Sequence, residues 1–246
     1  MVSCIQSSPC VDVHSKIKDS MIHRNTFEFL RELKLNNSKE WMDGNKEKRY
    51  VFAKDDVLAL TEELLIEVSE FDVNISNANL TANKCITRLN RDLRFSKDKT
   101  PYKTDYYIIL NKDGKNSPSA FYYLHIEPEN CFVGGGIYNP TKEPLDKIRQ
   151  AIDCSFNQWK KITKNKQFKE HFPSGIHSSG ILKKIPRGFD EDSPAKEYLK
   201  MKGFYSMEKL MDEELMSSEI FGRIINYFKT AKPLIDFLNQ AIEHEE

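Results

Sequence analysis

The spacing of apolar residues changes period twice along this chain, and that order constrains the fold more than any other feature. Up to residue 68 they recur every three or four positions. From 86 to 138 they gather in short β-prone runs, and from 144 onward the helical spacing returns. Helices, then a block of strands, then helices is the segregated pattern of an α+β fold. It excludes both an all-helical bundle and an alternating α/β domain.

In the first helical block, Asn25 and Glu28 have the form of a capping box ahead of Phe27, Leu30 and Leu33, and Asn36-Asn37 supplies a stop. Ser38 caps a turn carrying Trp41. A long amphipathic helix follows over 45–68 on Tyr50, Ala53, Val57, Leu60, Leu64 and Val68. In the last block, Pro144 opens a helix on Leu145, Ile148, Ile152, Phe156 and Trp159. Ser193-Pro194 starts a short helix that ends at Gly203, and two more helices span about 217–229 and 233–243.

The middle block reads as four strands, over 86–95, 102–110, 121–127 and 131–138. Turns are supplied by 96–101, by Asp113-Gly114 with Pro118, and by 128–130. The expected sheet is an antiparallel meander flanked by N-terminal and C-terminal helices. Gly134, Gly135 and Gly136 invite a phosphate-loop reading, but no Lys-Ser/Thr pair and no immediate helix follow. A bulge or a close backbone approach is the better account.

The 246 residues carry 37 basic and 37 acidic side chains, so no general field attracts nucleic acid or anionic lipid, and an acidic partner needs a local patch. One exists. Residues 84–103, KCITRLNRDLRFSKDKTPYK, hold seven basic and two acidic side chains. No apolar run approaches the ~20 residues of a membrane helix. The five cysteines are odd in number and lack a CxxC pair, which argues against a disulfide framework or a zinc site and fits a reducing cytoplasm. Residues 1–24 lack the basic start and apolar run of a secretory signal and read as a disordered tail, with Met21 an alternative start. Residues 25–246 read as one soluble domain.

Within the basic stretch, a strand reading places Arg88, Asn90, Asp92 and Arg94 on one face, with Arg91 among the apolar residues of the other. Lys97, Lys99 and Lys103 sit around the turn. Arginine forks match carboxylate or phosphate, and lysines add point charges, so this set is a candidate anion holder. Tyr102 and Tyr123 would flank it, and His125 or Asp92 would be the proton-transfer group if chemistry occurs. Two blander readings stay open: Asp92 and Asp98 neutralise the arginines in a salt-bridge network, or the hairpin is a solvated turn. His125 beside aromatics is more often a packed side chain, and His171 and His177 lack companion ligands. The sequence calls for no metal and no cofactor. Two functions compete: binding of, or chemistry on, a small phosphorylated or carboxylated ligand, and a module for nucleic acid or an acidic protein. A concave site favours the first, a convex turn the second.

RLNRDLRFSKDKTPYKTD, followed by YYLHIEP, GGGIYNP with IRQAI, and KKIPRGFDEDSPAKEYLKMKGF, resembles the bacterial and fungal family catalogued as domain of unknown function 2461. The likeness includes the early FLRELKLNNSKEWMDGNK and covers roughly 25–239. It implies a single family domain and brings no catalytic residues with it.

Overall fold

The computed structural model describes residues 21–243. Helix α1 (Arg24–Leu35) buries Phe27, Phe29, Leu30 and Leu33. The capping box expected from Asn25 and Glu28 does not form, because the helix starts earlier, with His23 as its N-cap. The free end is satisfied from elsewhere. The Asp56 carboxylate accepts the His23 N–H at 2.9 Å and the Thr26 hydroxyl at 2.5 Å, and it also meets His23 Nδ1. The disordered tail expected over 1–24 lies outside the described residues for positions 1–20. Of the other four, Ile22 is fully buried and donates its N–H to Leu215 O.

Helix α2 (Lys39–Asn45) is capped by the Ser38 hydroxyl, which accepts the Trp41 N–H at 3.2 Å. A π-helical turn, Lys46–Tyr50, joins it to α3 (Val51–Phe71). The extra residue in that turn shifts the phase of the apolar stripe. Short helices α4 (Val73–Asn77) and α5 (Ala82–Cys85) lead to the sheet.

Four antiparallel strands stand in sequence order: β1 (Tyr106–Leu110), β2 (Phe121–Ile126), β3 (Cys131–Ile137) and β4 (Phe204–Leu210). The α+β class and the count of four are as expected, but one strand is not the expected one. Residues 86–95 form no strand. Only isolated bridges, Ile86 to Ile108 and Asn90 to Tyr102, tie this segment to the chain near β1. Its apolar residues do not share one buried face: Ile86 and Leu89 enter the core while Phe95 is 95% exposed, and the Asp92 carboxylate accepts the Arg94 N–H, a local turn that competes with a ladder. The fourth strand is β4, after a long excursion through α6 (Lys142–Cys154), α7 (Phe156–Thr163), α8 (Lys166–His171) and α9 (Lys196–Leu199). After β4 come α10 (Asp212–Leu215) and α11 (Ile220–Glu243). The two C-terminal helices expected from the sequence are one, with Pro233 inside it. Burial of Leu234, Ile235, Phe237 and Leu238 offsets the hydrogen bond the proline forgoes.

One sheet face carries Ile108, Leu110, Tyr122, Leu124, Val133 and Phe204 into the core beneath α11 and α3. Gly135 permits this. A Cβ there would lie 2.8 Å from Ile235 Cδ1 and 2.9 Å from Ala231 Cβ on α11. Gly203 is likewise a close-approach residue and not a helix cap, since a Cβ would stand 1.9 Å from Tyr138 O. None of the helices among the described residues is long and apolar enough to cross a membrane.

Candidate functional site

The basic segment folds largely onto itself. Arg91 hydrogen-bonds to Asp98 and Thr100, and Arg94 grips Asp92 through Nη2 at 2.6 Å and Nε at 3.0 Å. The Arg91 guanidinium, helped by hydrogen bonds from Thr100, holds the Asp98 carboxyl down at about 2. Lys99 Nζ donates to Leu93 O at 3.0 Å. Tyr102 is clamped through its backbone by the Asn37 amide, at 2.8 and 3.0 Å, and burial raises its phenol pKa. Lys97 is exposed and Lys103 half-buried, and neither forms an ion pair among the described residues. Arg91, Arg94, Lys97 and Lys99 therefore belong to a projecting loop and do not converge on a concavity.

His125 is 3% exposed, with its ring between those of Tyr107 and Phe132 at centroid distances of 4.2 and 4.3 Å. Its Nδ1 lies 2.9 Å from Asn130 O and its Nε2 3.4 Å from Asp105 Oδ2. Asp105, not Asp92, is its acidic neighbour. Above it, the face of the sheet opposite α11 forms a groove of about 310 Å³ walled by Tyr107, Phe121, Tyr123, Phe132, Tyr138 and Tyr205. Tyr123 lies over Gly134, its register partner, and donates its hydroxyl to Ser206 O at 2.7 Å. Burial pushes the Tyr123 phenol pKa up. No charged side chain lines this groove, and His125 is not among its walls.

Arg88 goes elsewhere. It lines a pocket of about 200 Å³ with Lys54 of α3, Lys115 of the β1–β2 connection, Asn83 of α5, Tyr50 of the π turn and Tyr106 of β1. Lys115 is fixed by donating to Ile86 O at 2.6 Å. The Tyr106 hydroxyl is sealed from solvent and has no hydrogen-bond partner, and burial, with a smaller contribution from Tyr50, pushes its pKa up. No carboxylate lines the pocket. Three cations and two phenols lining one small concavity, with no carboxylate among its walls, are suited to holding an oxyanion. Nearby Cys85 is no nucleophile: burial pushes its thiol to about 11 despite Lys115 and Lys84.

Of the residues singled out in the sequence, only Arg88 enters this pocket. Lys54 and Lys115 were missed. Lys54 did carry a signal, since it stands four after Tyr50 and three before Val57, on the apolar side of α3. Among the described residues no cluster of His, Cys, Asp or Glu could hold a metal ion.

A model of the conserved hypothetical proteins grouped as domain of unknown function 2461 matches residues 25–237. The chain belongs to this family. The match runs from α1 into α11, so it takes in both the groove and the Arg88 pocket. No curated protein and no solved structure matches the chain.

Proposed function

We propose that this member of the family binds a small phosphorylated or carboxylated ligand, and that Lys54, Arg88 and Lys115 hold its anionic group. The observation that carries the reading is the concentration of three cations around one pocket with no carboxylate in its lining. Arg88 supplies the planar fork, the lysines supply point charges, and the Tyr106 hydroxyl supplies a donor with no internal partner. About 200 Å³ suits the head group of a metabolite better than a whole cofactor. The free thiols of Cys85, Cys131 and Cys154 support placing the protein in the cytoplasm.

The test is calorimetric titration with inorganic phosphate and phenyl phosphate. Saturable binding with mild salt dependence is expected. Arg88→Ala and Lys54→Ala should each weaken it about 10- to 100-fold, the worth of a charge-assisted hydrogen bond, while Arg94→Ala leaves it unchanged. Binding indifferent to Arg88→Ala and Lys54→Ala would end the proposal.

One observation favours a second reading. Phe95, 95% exposed, stands beside Arg94, Lys97 and Lys99 on the projecting loop, which is the make-up of a single-strand nucleic-acid platform. Asp92 and Asp98 weaken it by pairing with Arg94 and Arg91. Binding of single strands that falls with salt, by a log–log slope of about 0.7 per phosphate neutralised, and that is lost in Phe95→Ala but kept in Arg88→Ala, would support it.

A further inference from the structure

We infer a second oxyanion site, independent of the Arg88 pocket, in the cleft between α6 and residues 186–189, with Arg149 at its base. Arg149 lies on the buried side of α6 between Ile148 and Ile152 and is 4% exposed. Its Nη2 donates to Met201 O at 2.8 Å, and its Nη1 reaches Asp146 Oδ1 at 3.3 Å. Its Nε is sealed from solvent and meets no acceptor. An arginine kept only to tie α6 to the chain after α9 would have its donors met, because a buried guanidinium N–H without an acceptor is costly. Burial accordingly lowers the Arg149 pKa, yet a guanidinium stays charged at neutral pH.

The surroundings make an acceptor from outside the chain the natural complement. The cleft has a volume of about 1030 Å³. Lys142, Lys147, Arg149 and Arg187 line it against two carboxylates, Glu143 and Asp146. Lys147 is partly committed, with Glu143 at 3.8 Å and Ile242 O at 3.2 Å, and Asp146 is nearly half exposed and holds Arg149 only loosely. Lys142 and Arg187 form no ion pair among the described residues. Leu145, Pro186 and Phe189 add apolar wall. The ligand class is therefore a phosphate or carboxylate on an apolar body: the anion completes Arg149 and Arg187, and the body packs on Leu145 and Phe189.

The Nε–Hε proton of Arg149 reports directly on this. It gives its own cross-peak in a ¹H–¹⁵N spectrum, assigned by its disappearance in Arg149→Lys, or by backbone-linked assignment if that variant does not fold. Titration of the full chain with phenyl phosphate should shift the peak saturably. Inorganic phosphate and phenylacetate serve as separate arms that resolve the contributions of the phosphate and the apolar body. Arg187→Ala should weaken the response about tenfold, the loss of one charge-assisted contact, and Arg88→Ala should leave it unchanged. A resonance that stays fixed through the phenyl phosphate titration overturns the site. So does one whose shift vanishes in Arg88→Ala, since it would then report the other pocket.

Discussion

Replacing Gly134 by alanine tests whether the seam between β3 and β4 is as tight as the structure shows. A Cβ at 134 would lie 1.9 Å from Ser206 O, 2.9 Å from Ser206 C and 2.8 Å from the Tyr123 hydroxyl oxygen. Two of the three obstacles are backbone atoms of the neighbouring strand, so no rotamer change relieves the clash. The strands must part, or Gly134 must twist out of the ladder. Overpacking of this kind costs about 1–3 kcal/mol. Loss of the 2.7 Å bond from Tyr123 to Ser206 O and of one or two ladder bonds adds about 0.5–1.5 kcal/mol each. Against this, losing a glycine from the unfolded chain returns at most about 1 kcal/mol. The net expectation is about 3–5 kcal/mol of destabilisation, or roughly 10 °C in Tm for a domain of this size. Urea unfolding followed by tyrosine fluorescence and by circular dichroism gives the value. Gly222→Ala is the control. That glycine lies in α11 with nothing within 4 Å of a new Cβ, so the same chemical change should stabilise by about 0.5–1 kcal/mol. A Gly134→Ala protein within about 1 kcal/mol of wild type would show that the seam yields freely, and the packing argument would fail.

Asp56→Ala should cost about 3–5 kcal/mol, because it orphans the His23 N–H and the Thr26 hydroxyl at the start of α1; unchanged urea midpoints would show that water replaces the carboxylate. Stability should also fall in alkali. Burial pushes the Cys85 thiol to about 11 and the Cys131 thiol to about 12, from an ordinary value of 9.0, so their contribution is whole below pH 9 and is lost as pH rises through 11 and 12. A flat unfolding free energy from pH 9 to 12 would contradict this, as would alkylation of native Cys85 or Cys131 at pH 8 as fast as that of exposed Cys154.

The fold class was legible because it rests on periodicity, which survives without tertiary knowledge. The errors fall where that signal fades. The 86–95 segment alternates charge with apolar residues as an exposed strand would, but Asp92 and Asp98 bond locally to Arg94 and Thr100 and bend it into a loop. Strand β4 escaped notice because Tyr205 and Met207 point to the aromatic groove while Phe204 and Leu210 enter the core. With apolar residues on both faces, no period of two stands out. The site was less legible still. Arg88 is visible as a charge, but its convergence with Lys54 and Lys115 is made by α3, the 86–88 segment and the β1–β2 connection meeting in space. No spacing along the chain encodes that.

Why Arg88 and not Arg91 or Arg94 belongs to the proposed site follows from where carboxylates lie. An arginine whose fork is filled by an aspartate two or seven residues away offers little to a ligand, since binding must first break that pair. Arg88 has no such neighbour among the lining of its pocket, and its companions there are two more cations. The groove on the other face obeys the opposite rule: six aromatic rings and no charge. The layers packed on the two faces of the sheet depend on the glycine run of β3. Gly135 lets α11 settle onto one face, while Gly134 lets Tyr123 lie over the other and reach Ser206. A side chain at either position would lift a layer from the sheet. It would disturb the walls of the groove directly.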